Sequence, residues 1–107
     1  MNPKLKIIEP EGIFDKNKAT EYRQLVNESL AAGSTIILLD LQKVTFMDSG
    51  GLGGLVMIRK AVIEAQSQLF LCSLNEQIKI LFELTSMELV FNIFDNQEAF
   101  QQKIINP

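Results

Sequence analysis

The sequence predicts a single α/β domain with a mainly parallel sheet, and two patterns lead to that prediction. Short runs that are apolar on both alternating faces, such as residues 35–41 and 68–73, are typical of central strands covered on both sides. Stretches with apolar residues three or four apart separate these runs and predict helices. The chain has 107 residues, 47% of them hydrophobic, which suffices for one core. We expect one domain over residues 1–107, with its core over about 4–104.

Strands and helices alternate along the chain. Predicted strands cover residues 4–9, 35–41, 68–73 and 90–94, and residues 43–47 are expected to be extended. Predicted helices cover residues 17–32, 52–66, 75–84 and 97–104. Pro10, Gly12 and Asp15 indicate a turn before the first helix, which Asp15 or Asn17 can cap. The fold class is therefore a mixed, mainly parallel four-stranded sheet with about four helices and right-handed crossovers.

Composition excludes several classes of function. The chain contains no histidine and one cysteine, so a Ser-His-Asp or Cys-His triad, a histidine-ligated zinc site and an internal disulfide are excluded. We expect no metal and no cofactor. The net charge of −3, without a basic stripe, argues against nucleic-acid binding. No run approaches the roughly 18 apolar residues of a membrane helix, so membrane insertion is not expected either.

Residues 48–54 hold four of the six glycines within five positions. Each glycine costs a helix roughly 1 kcal/mol relative to alanine, so a compensating role is expected. One interpretation is close packing, in which Gly51 and Gly54 let a helix approach the sheet and Ser49 is its N-cap. The other is that a strand-to-helix turn exposes backbone N–H groups and the Ser49 hydroxyl to a ligand or partner.

The chemistries known for strand-to-helix turns match residues 48–54 to different degrees. The phosphate-binding and dinucleotide fingerprints are not matched, and a nucleophilic Ser49 lacks a base because Lys60 lies about three helical turns away. Ser49 fits better as the substrate of a partner kinase. A phosphate there would add about −1.5 to −2 charge beside Asp48, and beside Asp15 if the strand of Asp15 neighbours that of Ile36. Such an anionic patch would repel a docked partner.

Residues 44–53, read as Val-Thr-Phe-Met-Asp-Ser-Gly-Gly-Leu-Gly, resemble the phosphorylation loop of the STAS domain, and within it of stand-alone anti-sigma factor antagonists. Residues 12–15 resemble the family's G-x-L-D segment. Residues 80–86 resemble its L-F-E-L-T-G segment, and residues 93–95 with 98–99 resemble its closing strand and helix. Gly50 stands where the family usually has a second Ser or Thr. The family's first strand is expected to be missing, which leaves a sheet edge that a homodimer could cover.

The resemblance implies a cytoplasmic bacterial regulator without catalysis of its own. It implies that Ser49 accepts phosphate from an anti-sigma factor that is also a Ser/Thr kinase, and that a PP2C-type phosphatase removes it. Asp15, Asp48, Gly50 and Gly51 would surround the phosphosite, and the partner would contact Phe46, Met47, Leu52 and Leu55. A purely structural role in the core is the alternative for Met47, Leu52 and Leu55. The sequence leaves two alternatives open: a constitutive STAS accessory subunit of a lipid transporter or stressosome-like assembly, and a small nucleotide-binding enzyme.

Overall fold

The computed structural model describes residues 4–107, which form six strands and four helices. The strands are β1 (Leu5–Ile8), β2 (Glu11–Phe14), β3 (Ile36–Asp40), β4 (Lys43–Met47), β5 (Gln68–Cys72) and β6 (Ile93–Phe94). The helices are α1 (Lys16–Ala31), α2 (Ser49–Glu64), α3 (Glu76–Leu84) and α4 (Gln97–Phe100). The predicted α/β architecture and the predicted number of helices are thereby confirmed.

The strands form two sheets. The larger has four strands in the order β1-β3-β5-β6, and the smaller pairs β2 with β4. All strand pairings within residues 4–107 are parallel, as the alternation of strands with crossover helices requires. All five residues of β3 are buried, which confirms the prediction of a central strand covered on both faces.

Strand β2 differs from the prediction, which placed a turn between Pro10 and Asp15. The register of β2 against β4 shifts between Gly12 and Ile13, and Gly12 has a φ of +76°. A residue without a Cβ tolerates this conformation, so the glycine marks a bulge within a strand rather than the end of one.

The C-terminal part also departs from the prediction in detail. Of the predicted strand over 90–94, only Ile93–Phe94 forms β6. A 3₁₀ turn at Met87–Leu89, which ends at Val90, occupies the residues just before it. The predicted helix over 97–104 is present, but α4 continues at Gln101–Ile105 as a single π-helical turn.

Core side chains lie on both faces of the four-stranded sheet. Ile37 and Leu39 of β3 belong to one buried cluster, which includes the apolar faces of α1, α2 and α3. Ile36 and Leu38 point to the other face, where Cys72 and Phe100 are also buried. Burial raises the pKa of the Cys72 thiol to about 11, so this cysteine is a protonated core residue at neutral pH.

Asp40 is the one buried carboxylate among the described residues. Its two carboxylate oxygens accept hydrogen bonds from the Gln42 N–H at 3.0 Å and from Gln97 Nε2 at 2.7 Å, which connects the end of β3 to α4. Burial alone would raise the pKa of Asp40, but these bonds, with further ones from Ser73 and Cys72, hold it below its ordinary value of 3.8.

The lowered pKa of Asp40 gives stability a defined pH dependence. Its contribution is present above the ordinary pKa of 3.8 and is lost as the pH falls through the lower folded-state pKa. We expect Asp40→Asn to flatten the acid limb of the stability profile, measured by urea unfolding between about pH 5 and pH 2.5. Asp95→Asn, which removes an exposed carboxylate, is the matched control. An acid limb as steep in Asp40→Asn as in the wild type would contradict this assignment.

Candidate functional site

The N-terminus of α2 is formed by the loop segment that the sequence singled out. Asp48 adopts an extended conformation and is the N-cap, and its Oδ1 accepts a hydrogen bond from the Gly51 N–H at 2.7 Å. Ser49 is the first helical residue and is exposed. The prediction that Ser49 caps the helix is therefore wrong, because Asp48 already accepts the free N–H group. The Ser49 hydroxyl takes part in no hydrogen bond within residues 4–107.

The parallel β2–β4 pair places the N-termini of α1 and α2 at the same end of the small sheet. Phe14 and Met47 are partners in the register, and the Asp48 N–H donates to the Phe14 carbonyl oxygen at 3.4 Å. Asp15 directly follows Phe14, the last residue of β2. Its Oδ1 accepts a hydrogen bond from the Lys18 N–H at 2.9 Å, so Asp15 caps α1. Asp15 therefore lies near Asp48 because β2 pairs with β4. From the sequence we expected this proximity only if the strand of Asp15 paired with the strand of Ile36.

Two glycines permit this arrangement. A Cβ on Gly51 would overlap the carbonyl oxygen of Phe14, and a Cβ on Gly54 would overlap the Cβ of Ala19 in α1. Gly51 therefore lets α2 approach β2 as predicted, whereas Gly54 approaches the neighbouring helix and not the sheet. A Cβ on Gly50 would lie at an ordinary distance of 3.4 Å from the Cβ of Lys16, so this position has room for a side chain.

The other edge of β4 is held by side-chain amides from the start of α3. Gln77 Oε1 accepts from the Met47 N–H at 2.9 Å, and Gln77 Nε2 donates to the Met47 carbonyl at 2.7 Å. Asn75, the N-cap of α3, donates to the Val44 carbonyl at 3.2 Å. These bonds fix the backbone immediately before Asp48. Neither role was predicted from the sequence, although an Asn-x-Gln segment at a helix start was the available signal.

The residues predicted to contact the partner differ in how much of each side chain is exposed. Phe46 is 46% exposed, which fits a docking role, whereas Met47, Leu52 and Leu55 are 0%, 6% and 0% exposed. Burial favours the alternative for these three residues, because they fill the core beneath α2 and β4. Alternation along β4 turns Phe46 outward and Met47 inward.

The exposed neighbour of Phe46 was not foreseen. Ile13 is 59% exposed and lies opposite Phe46 in the β2–β4 register. The two side chains form an apolar pair on the outside of the small sheet, each two residues before an N-cap. Reading residues 11–14 as a turn concealed this pair, because only a strand register brings them together.

The chemistry of the site is that of an accessible hydroxyl beside two capping carboxylates. The nearest lysine on its own helix, Lys60, lies 11 residues along α2, about 16 Å away. No group of three or more His, Cys, Asp or Glu residues suited to a metal ion occurs among residues 4–107. Within the same range, no helix is both long and apolar enough to cross a membrane.

Comparison with known proteins places this geometry in a family. A family model described as the STAS domain matches residues 1–99. The chain belongs to the STAS domain family. It is 26% identical over 88 residues to an anti-sigma-B factor antagonist of Staphylococcus aureus, with 82% of each chain covered.

Solved STAS domains share the fold. A candidate anti-sigma factor antagonist from Thermotoga maritima is 27% identical with a TM-score of 0.79, covering 92% of this chain and 86% of that one. The phosphorylated form of the Bacillus cell fate determinant SpoIIAA is 16% identical with a TM-score of 0.69, covering 95% and 93%. The STAS domain of a SulP transporter from Vibrio cholerae is 15% identical with a TM-score of 0.77, covering 99% and 85%.

The close approach of α2 to β2 can be tested with two glycines of the same helix. We expect Gly51→Ala to lower the free energy of unfolding by at least about 2 kcal/mol, because its Cβ would collide with backbone. Gly53→Ala is the matched control: its Cβ meets nothing within 4 Å, so helix propensity should raise stability by about 0.5–1 kcal/mol. Urea unfolding measures both. Equal effects of the two substitutions would contradict the packing described for Gly51.

Proposed function

We propose that this STAS domain is an anti-sigma factor antagonist controlled by phosphorylation of Ser49. The unphosphorylated chain binds an anti-sigma factor that is also a Ser/Thr kinase, and so frees a sigma factor. Transfer of the γ-phosphoryl group of ATP to the Ser49 oxygen weakens the complex, and a PP2C-type phosphatase restores the hydroxyl by hydrolysis. The observation that carries the proposal is the exposed Ser49 hydroxyl at the first position of α2, directly after the N-cap.

The position of Ser49 favours a switch that leaves the fold intact. A phosphate at the first turn of a helix meets unpaired N–H groups and the positive end of the helix dipole, an interaction of roughly 0.3–2 kcal/mol. The side chain points to solvent, so nothing in the core has to move. The likeness in fold to a phosphorylated STAS protein is consistent with this expectation.

The charge added at Ser49 supplies the release step. Asp48 and Asp15 already place two carboxylates at this edge of the small sheet, and a phosphate adds about two further negative charges. A partner seated on the apolar pair Ile13 and Phe46 would meet that charge at the rim of its contact. Like-charge repulsion and the bulk of the phosphate then accelerate dissociation.

The residues of the chain are consistent with chemistry carried out by partners. The chain contains no histidine, and Lys60 lies about 16 Å from Ser49 along α2, so the bases usually paired with a nucleophilic serine are missing from its own helix; the neighbouring Asp48 carboxylate is engaged in capping the Gly51 N–H. The kinase and the phosphatase would provide the proton acceptor and the activated water. We expect the domain itself to hydrolyse no ATP and to need no cofactor.

A second candidate function follows from the breadth of the fold. The chain shares its fold with a transporter STAS domain, at a TM-score of 0.77, and a constitutive accessory role in a lipid transporter or stressosome-like assembly is the alternative. In that case the same edge of the small sheet docks permanently, and phosphate at Ser49 is not part of the cycle.

Phosphorylation of Ser49 has a direct test, because Ser49 is the one hydroxyl residue in the segment 46–54. Incubation with ATP and a cognate kinase-type anti-sigma factor should add the mass of one phosphate to the wild type and none to Ser49→Ala. Thr45→Ala, which removes the exposed hydroxyl of β4, is the matched control and should be phosphorylated like the wild type. Equal phosphorylation of Ser49→Ala would refute the assignment. An unmodified wild type, with a kinase active on another substrate, would favour the accessory role.

A further inference from the structure

A second surface, remote in sequence from Ser49, concentrates the charge of the molecule. Residues 76–95 contain four acidic residues and one lysine, whereas the other 87 residues contain nine acidic and nine basic residues. The net charge of −3 therefore resides entirely in this fifth of the chain. The lysine, Lys79, pairs with Glu76 at 3.6 Å. Glu83, Glu88 and Asp95 take part in no ion pair within residues 4–107.

The same segment carries the two most exposed large apolar side chains of the described residues and a third that is half exposed. Leu84 and Leu89 are each 81% exposed, and Ile80 is 53% exposed. Ile80 and Leu84 are one helical turn apart on α3, and Leu89 ends the 3₁₀ turn that follows. Single exposed leucines are common, but a cluster of three within ten residues indicates an interaction surface.

A cavity of about 700 Å³ is lined by other residues of the same segment, including both residues of β6, whereas Ile80, Leu84 and Leu89 do not line it. Phe82 and Phe91 are packed against each other in its wall, with ring centroids 5.6 Å apart. Glu83, Glu88 and Asp95 also line it, together with Lys79, which is paired with Glu76. The cavity can take a large apolar side chain, and the excess of carboxylates over lysine in its lining favours a cation next to that side chain.

We propose that these residues form a docking surface for a basic amphipathic helix of a protein partner. The α3–β6 surface consists of Ile80, Leu84 and Leu89 with the carboxylates of Glu83, Glu88 and Asp95. Leucine-type anchors of the partner helix, spaced three or four residues apart, would cover the apolar cluster and enter the cavity. Lysine or arginine side chains on its flanks would pair with the carboxylates.

Charge complementarity selects this occupant over a second copy of the chain. Two copies joined through the α3–β6 surface would oppose three unpaired carboxylates with three more, an arrangement that like-charge repulsion disfavours. An anionic membrane would be repelled for the same reason. A basic helix instead meets apolar area and opposite charge together. The docking surface does not include Ser49 and is independent of the proposed phosphorylation.

The test uses the full chain and a defined probe. The probe is a synthetic peptide of leucine and lysine, roughly five helical turns long, with leucines at positions i, i+3, i+4 and i+7. Its control is a peptide of the same composition in scrambled order. Binding is measured by isothermal titration calorimetry, and the site is mapped by the shifts of backbone amides in ¹⁵N NMR spectra.

Two pairs of substitutions separate the proposed surface from general attraction to an acidic protein. Leu84→Ser with Leu89→Ser should weaken binding of the amphipathic peptide about tenfold or more, and Glu83→Gln with Glu88→Gln should weaken it to a similar extent at low salt. All four side chains are exposed, so the fold should persist, as circular dichroism would verify. The matched control is Ile63→Ser with Glu64→Gln, an exposed apolar and acidic pair on α2, which should leave binding unchanged.

Four results would overturn the proposal: equal weakening by the α2 control, equal binding of the scrambled peptide, amide shifts outside residues 76–95, or no binding of the amphipathic peptide. A concentration-dependent dimer in sedimentation analysis that Leu84→Ser with Leu89→Ser abolishes would assign the surface to a second copy instead. None of these outcomes bears on Ser49, so the two proposals fail separately.

Discussion

The close approach of α2 to the carbonyl of Phe14 is the constraint on which the site depends. A helix can come this near a strand only where a Cβ is missing, and Gly51 supplies that gap. The parallel pairing of β2 with β4 then brings both strands to a common end, where each is followed at once by a capping aspartate, Asp15 or Asp48. The amide of Gln77 holds the opposite edge of β4. The first residue after this rigid frame is Ser49.

A rigid frame with one free hydroxyl suits a switch that works through surface charge. Met47, Leu52 and Leu55 are buried beneath the site, so the partner meets a fixed surface rather than a movable core. Phosphate on Ser49 would change the charge at the rim without altering the packing below it. The proposed α3–β6 surface would act in the opposite way. Its negative charge is permanent, and it would attract a basic partner helix rather than expel one.

The sequence predicted what local patterns determine. Apolar periodicity located β3, and the glycine cluster with Asp48 and Ser49 located the site, because their signals lie within a few residues of one another. The prediction failed where the deciding contact is distant in the chain. Strand β2 is stabilised by β4 some 30 residues later, and its glycine bulge looks like a turn until that partner is known. The burial of Leu52 likewise depends on which side of α2 faces the sheet, which periodicity alone left open.

The affinity of the chain for the proposed kinase-type anti-sigma factor, with and without phosphate on Ser49, tests the central claim most directly. Phosphoserine introduced at position 49 during synthesis, and Ser49→Glu as its approximation, should each weaken binding by a decade or more in a calorimetric titration. The thermal unfolding midpoint should stay within a few degrees of the unmodified chain. Unchanged affinity in a correctly folded phosphorylated chain would contradict the claim that charge at Ser49 controls the partner.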